Sequence, residues 1–224
     1  HYYKKLLSTA SDDYAIYAES PFDMENRLLL LGTDVSTKYT RRGEDTYRRY
    51  AEYLYQVALA KHGNYIAFFP SYRFMEDVYE EFLVIVSKGS VEEDREHSLM
   101  GFCVMGGIFS EGIDLTGEQL IGAVIVGTGL PQVCRERELL KQYFDEHGFH
   151  GFDYAYLYPG MNKVLQSAGR VIRTQEDRGV VLLLDDRFLD MRYREVFPRE
   201  WGNYKLCRQE NAAGFMKEFW SRKT

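Results

Sequence analysis

Tyr65-Ile66-Ala67-Phe68-Phe69-Pro70-Ser71-Tyr72-Arg73-Phe74 decides how this chain folds. Five apolar residues run without a polar break, as a strand covered on both faces does. Proline then ends the strand, and Ser71 stands where the following helix needs its N-cap. Phe74, Val78 and Phe82 recur every four residues, which predicts an amphipathic helix over 72–82. Outward from this unit the pattern repeats. Residues 15–18 and 28–31 are short apolar segments, and 46–60 carries a helical period closed by His62-Gly63. Further strands are expected at 83–86, 102–105, 123–126 and 180–184, with helices over 133–146, 162–173 and 212–220. Strands alternating with helices imply an α/β fold, a mostly parallel sheet with helices on both faces. Thirteen residues, 88–100, would then join two parallel strands. That is near the minimum for a crossover, and predicts residues missing from this connection.

The chain has 224 residues, room for one large α/β domain, and its 45% hydrophobic and 28% charged residues exclude wholesale disorder. No apolar run is long enough to span a bilayer, and no segment reads as a signal peptide. A start at His1 is expected of a fragment. Cys103, Cys134 and Cys207 lie far apart with no CxxC pair, which suits a reducing, cytoplasmic setting and argues against a disulfide scaffold or a local zinc site. The formal charge of −6 disfavours a surface basic all over but permits a local basic face. Residues 38–49 hold five basic and two acidic side chains, and residues 161–178 hold four and two.

Ligands of open α/β sheets bind beyond the carboxyl ends of the strands, and three segments are expected there. At Ser71-Tyr72 the exposed amides of a helix start suit a phosphate, with an aromatic ring beside them; the plain alternative is a capped helix. Gly106-Gly107-Ile108-Phe109-Ser110-Glu111-Gly112-Ile113-Asp114-Leu115 offers glycines for close approach, a hydroxyl for phosphate, and two carboxylates for a sugar hydroxyl or an arginine. An ordinary glycine-rich turn would look the same. In Gln166-Ser167-Ala168-Gly169-Arg170-Val171-Ile172-Arg173, positions 166, 169, 170 and 173 share one face of a helix, while Val164, Leu165, Ala168, Val171 and Ile172 form its buried stripe. A glycine in mid-helix costs about 1 kcal/mol relative to alanine. Two neighbouring guanidiniums demand an anion, for which a polyphosphate is suited; an exposed basic face is the alternative.

No GxxxxGK[ST] phosphate loop occurs in the chain. Asp185-Asp186-Arg187, after the last apolar strand, reads as a structural ion-pair cluster rather than a metal-binding acidic box. An arginine-bearing half without a phosphate loop suggests the second half of a two-part motor.

Together FFPSY (68–72), GGIFSEGIDL (106–115) and QSAGRVIR (166–173) resemble motifs IV, V and VI of superfamily-two helicases, in the wording of the DinG/XPD branch and closer to bacterial DinG-like proteins. SPF (20–22), DVSTKY (34–39), GLPQ (129–132) and DDRF (185–188) support the match, which extends over 14–201. The resemblance implies a RecA-like second motor domain over 1–200, with 201–224 a helical extension of the same domain. It implies a 5′→3′ DNA helicase working on ATP with Mg2+ shared with a first motor domain of the same parent chain. Any iron–sulfur cluster would belong to the parent rather than to this chain. Carried over by residue, Arg173 becomes the arginine finger, Arg170 its assistant or a brace for Glu111, and Gln166 a group that orients water or senses the nucleotide. Glu111, Gly112, Asp114 and Gly169 border the nucleotide, and Ser71, Tyr72 and Ser110 touch single-stranded DNA. Such a fragment alone would be inactive. Two other readings stay open: a non-catalytic nucleic-acid-binding or interaction module on the same fold, and an unrelated α/β transferase using the glycine-rich loop.

Overall fold

Leu28, Leu29, Leu30 and Leu31 show within one strand how the molecule is layered. All four are buried, yet Leu28 and Leu30 join one apolar cluster and Leu29 and Leu31 the other. Successive side chains of a strand point to opposite faces, so an unbroken apolar run demands cover on both. The computed structural model describes residues 20–88, 98–107 and 119–222. Its strands are β1 (Arg27–Gly32), β2 (Asn64–Phe69), β3 (Leu99–Val104), β4 (Gly122–Val126), β5 (Gly179–Leu184) and β6 (Lys205–Cys207). They form one sheet in the order β3-β2-β4-β5-β1-β6, and every pairing is parallel.

Helices α1 (Glu44–Ala60), α2 (Tyr72–Lys88), α3 (Arg135–Glu146), α4 (Tyr158–Ala168), α5 (Met191–Arg194) and α6 (Gln209–Ser221) complete the framework. On one face Tyr50, Leu54 and Val57 of α1, Phe74 and Val78 of α2, and Ala212, Met216 and Phe219 of α6 pack on the even-numbered leucines of β1 and their neighbours. On the other, Met161, Val164 and Ala168 of α4 meet Ile66, Phe68, Ile125 and Leu183. Each fully buried leucine or phenylalanine here contributes about 1.5–3 kcal/mol relative to exposure. The result is the doubly covered parallel sheet of a RecA-like α/β domain.

The structure departs from the sequence reading in this part of the sheet. Residues 83–86 are not a strand: α2 runs on to Lys88, because Phe82 and Ile85 continue its apolar face onto the same cluster. A short apolar run cannot by itself be told from a helix segment. The spacing argument for missing residues at 88–100 falls with it, since α2 is itself part of the crossover between the adjacent parallel strands β2 and β3. Residues 15–18 lie outside the described residues. β6 has only three residues and no apolar run to announce it, yet it extends the sheet beside β1, and Thr33 donates to the Cys207 carbonyl at 2.9 Å.

The helical tail is anchored by cations on its rings and last carbonyls. Arg178 lies 4.5 Å over the Phe219 ring and donates to the carbonyls of Phe219 and Arg222, while Lys61 sits 4.5 Å over Trp220. Positive charge at a helix carboxyl end satisfies orphan carbonyls and complements the helix dipole.

Candidate nucleotide and nucleic-acid interface

At the carboxyl end of the sheet, Ser71 follows β2 and its Oγ accepts from the Phe74 N–H at 3.3 Å. The plain reading of a helix cap therefore holds, and it leaves the hydroxyl hydrogen free to point outward. Tyr72, next in the chain, is 66% exposed. After β3, Gly106 has φ of +77° and the Gly107 N–H turns back to the Val104 carbonyl at 3.0 Å. A Cβ on Gly106 would lie 3.5 Å from Lys163 Nζ, so this lysine of α4 covers the end of β3. Burial, and then the neighbouring charge of Arg137, lower the pKa of Lys163. Sequence reading missed Lys163, because nothing in its spacing ties it to Gly106, 57 residues earlier. Ser110, Glu111, Gly112 and Asp114 lie outside the described residues.

Beyond β5 a buried polar network ties two loops together. Asp185 is fully buried, and its Oδ2 accepts from the Thr37 amide (2.9 Å) and from Thr37 Oγ1 (2.7 Å). Arg187 closes the set, with Nε 2.7 Å from Asp185 Oδ1 and Nη2 2.8 Å from Oδ2 and 2.6 Å from Thr37 Oγ1. Asp186 accepts from Ser36 Oγ (2.8 Å) and Lys38 Nζ (3.3 Å). Burial works to raise the Asp185 pKa, but the bonds and charge of Arg187 and the bonds of Thr37 outweigh it and hold the carboxylate below its ordinary range. The structural ion-pair cluster expected at 185–187 is what the fold contains. Among the described residues, no group of three or more metal-ligating side chains is placed to hold a metal ion.

The arginine motif departs from its expected geometry. α4 is preceded by one π turn, Asp153–Leu157, whose Tyr158 N–H reaches back to the Asp153 carbonyl. Pro159 has no N–H to give to the turn before it, and the Ala155 carbonyl four residues back accepts instead from Arg137 Nη1 at 2.8 Å. α4 starts against the carboxyl end of β4, where a Cβ on Gly160 would lie 2.8 Å from the Thr128 carbonyl oxygen. That close approach accounts for GLPQ: Gly129 has φ of +66°, and a Cβ there would meet the Gly160 carbonyl oxygen at 2.6 Å.

The helix stops at Ala168, not at Arg173, with Gly169 as its C-cap. Gly169 is therefore not a mid-helix residue, and the helix-interior cost assigned to it does not arise. The amides that a continued helix would return to the carbonyls of residues 169 and 170 go elsewhere. Arg173 N–H and Thr174 N–H both donate to Asp177 Oδ2 at 2.7 Å. Asp177 is buried and was not anticipated; its signal is an aspartate placed to accept from the amides three and four residues before it.

Gln166, Arg170 and Arg173 consequently do not share one exposed face. Gln166 is exposed on α4, Arg173 is half-buried in the following turn, and Arg170 is only 7% exposed. Burial pushes the Cys103 thiol of β3 up in pKa, while the charge of Arg170 opposes that shift. The expected apolar stripe is largely real: Val164, Ala168, Val171 and Ile172 are buried in one cluster with Leu165 packed against it. The segment does not lie beyond the carboxyl ends of the strands. A Cβ on Gly179, the first residue of β5, would lie 2.2 Å from Val171 Cγ1, and Asn26 Nδ2 donates to the Gln175 carbonyl just ahead of β1. The turn after α4 runs past the amino ends, because a helix that starts at the carboxyl end of a parallel sheet must return the chain to the other end.

With this geometry in hand, the family described as helicase C-terminal domain matches residues 85–204, more than half of the chain. The chain belongs to that family. This helicase C-terminal domain is 26% identical to a probable ATP-dependent helicase of Methanocaldococcus jannaschii, over 91% of this chain and 36% of that protein. It is 27% identical to the ATP-dependent DNA helicase XPD of Sulfolobus acidocaldarius (74% and 32%) and 28% identical to the ATP-dependent DNA helicase DinG of Photobacterium profundum (78% and 27%). A solved XPD helicase superposes with a TM-score of 0.64 at 25% identity, covering 81% of this chain and 35% of that one. The helicase C-terminal domain thus spans about a third of the length of these relatives, and resembles both the XPD and the DinG branch, as its motifs do. No helix among the described residues is long and apolar enough to cross a membrane.

Proposed function

We propose that this helicase C-terminal domain is the second motor half of an ATP-dependent 5′→3′ DNA helicase. The observation that carries the reading is Arg173 in the QxxGRxxR motif. Its backbone is clamped by Asp177, and its side chain is half-buried rather than enclosed. The clamp fixes where the side chain departs from the backbone, and arginine presents a planar, permanently charged donor fork that loses less freedom per hydrogen bond formed. In this reading Arg173 reaches the γ-phosphate of ATP held with Mg2+ by a first motor half. Arg170, being buried, fits the role of a brace for Glu111 better than direct contact with phosphate. Gln166, exposed one turn earlier, orients the attacking water or senses the nucleotide, and Glu111, Gly112, Asp114 and Gly169 border the site. Ser71, Tyr72 and Ser110 touch the DNA strand, since hydroxyl and amide contacts to phosphate grip without reading sequence.

The cycle follows from the charges. Arg173 is drawn toward the triphosphate and the two halves close; hydrolysis and phosphate loss weaken the attraction and they reopen. The parallel sheet is the rigid lever that carries this motion from the arginine turn at its amino ends to the strand-binding loops at its carboxyl ends.

The DNA half of the proposal is tested by titrating this chain with a 20-nucleotide oligothymidylate followed by fluorescence anisotropy. Weak binding is expected, weakening further between 50 and 200 mM salt with a log–log slope of about −0.7 per phosphate neutralised. An affinity independent of salt, or no binding at low salt, would contradict it.

A further inference from the structure

Tyr39 stands at the head of a short 3-10 turn, Tyr39–Arg41, just past the carboxyl end of β1. It is 85% exposed, and yet it is not loose. The Arg42 guanidinium lies 5.6 Å from the centroid of the Tyr39 ring and 5.3 Å from that of the Phe74 ring. Phe74 is in turn held edge-on by Tyr47 (5.2 Å) and Tyr50 (5.4 Å), and Phe74 and Tyr50 are both within the core. Arg42 Nε also donates to the carbonyl of Thr37 at 3.1 Å, the residue bound to buried Asp185. A stack rooted in the core therefore rises through a cation and ends on an aromatic ring open to solvent.

Burial does not explain that arrangement, since the last ring buries almost nothing. The surrounding charge indicates what it could receive. Lys38, Arg48 and Arg49 are each paired with a carboxylate, of Asp186, Glu81 and Asp34. Arg41, Arg42 and Arg73 make no ion pair among the described residues. Tyr72, exposed and adjacent to Arg73, lies two residues from Phe74 at the foot of the stack. Asp45 and Asp34 line a pocket with Arg41, and Asp77 lies near Tyr47 with Arg42 and Arg73, but none closes an ion pair with these three arginines. Flat rings among cations not held in ion pairs complement a polyanion that carries flat bases, and single-stranded nucleic acid has that chemistry.

We propose that Tyr39 is a base-stacking platform for a single strand, held in place by Arg42, with Arg41 and Arg73 receiving the flanking phosphates. The proposal rests on the reading above that this chain grips single-stranded DNA, and it adds where an unstacked base rests. Stacking on π-faces is tolerant of sequence, as a translocating motor requires. A ring fixed before binding loses little freedom when a base settles on it.

The test compares two 20-mers by anisotropy, oligothymidylate and the same sugar-phosphate strand without bases. Tyr39→Ala is expected to weaken oligothymidylate binding about tenfold and to leave the abasic strand unchanged, while Tyr39→Phe keeps the wild-type affinity for both. Arg42→Ala, which frees the ring, is expected to weaken both strands, and oligothymidylate more. Thermal melts confirm that each variant is folded. If the wild-type chain bound neither strand, the DNA-gripping reading itself would fall. If the wild type bound and Tyr39→Ala matched it on oligothymidylate, or lost equally on both strands, the platform alone would be overturned.

Discussion

Arg173→Ala, made in a protein that carries this domain together with a first motor half, is expected to lower DNA-stimulated ATP turnover by about 10³-fold or more, read as kcat in a steady-state phosphate-release assay. A finger arginine acts on charge that develops during phosphoryl transfer, so its loss falls on kcat more than on KM. Arg173→Lys is expected not to restore turnover, because a point charge on a flexible stem cannot present the same planar fork. Asp177→Ala gives an internal comparison. Its carboxylate touches no nucleotide in this account; it holds the amides of Arg173 and Thr174. A partial loss is expected there, with the finger still charged but no longer fixed at its root. Unchanged turnover in Arg173→Ala, with DNA present, would remove Arg173 from the role. Arg170→Ala is less informative, since a side chain this buried is also part of the packing.

Asp185→Ala is the substitution expected to cost most in stability, about 3–5 kcal/mol in urea unfolding. It strips the partner from a half-buried Arg187 and from both Thr37 donors, which leaves charge and polar hydrogens stranded beneath the loops. Asp186→Ala removes partly exposed bonds to Ser36 and Lys38 and is expected to cost no more than about 1 kcal/mol. The same network sets a pH dependence. The Asp185 pKa is held below its ordinary value in the folded chain, so its contribution is fully present above the unfolded carboxylate value of about 3.9. That contribution is lost as pH falls from there through the folded value. Wild-type stability should fall with acid across that window, and Asp185→Ala should show a shallower fall. Equal stability of the two proteins at neutral pH would contradict the assigned network.

The layers of this fold were legible because its strands are apolar without interruption. Leu28–Leu31, Tyr65–Phe69 and Val180–Leu184 permit little else than a parallel sheet covered twice. Residues 83–86 misled for the same reason, since apolar length alone does not separate a strand from the end of an amphipathic helix. The chemistry at 166–173 was legible as residue types but not as geometry. Helical spacing placed Gln166, Gly169, Arg170 and Arg173 on one face, while the fold ends the helix at Gly169 and hands the next amides to Asp177. No periodicity encodes that competition, because it is decided by a side chain beyond the helix. The Asp185–Thr37 contact was invisible for a different reason: 148 residues separate its partners, and only the adjacency of β1 and β5 in the sheet joins them.

The most direct measurement is ATP turnover by this chain alone and by the same chain mixed with a first motor half bearing the phosphate loop, each with and without single-stranded DNA. Turnover is expected to be at background for the chain alone and to rise, stimulated by DNA, only when the two halves are combined. Robust hydrolysis by the isolated chain, or no gain on combining the halves, would contradict the account.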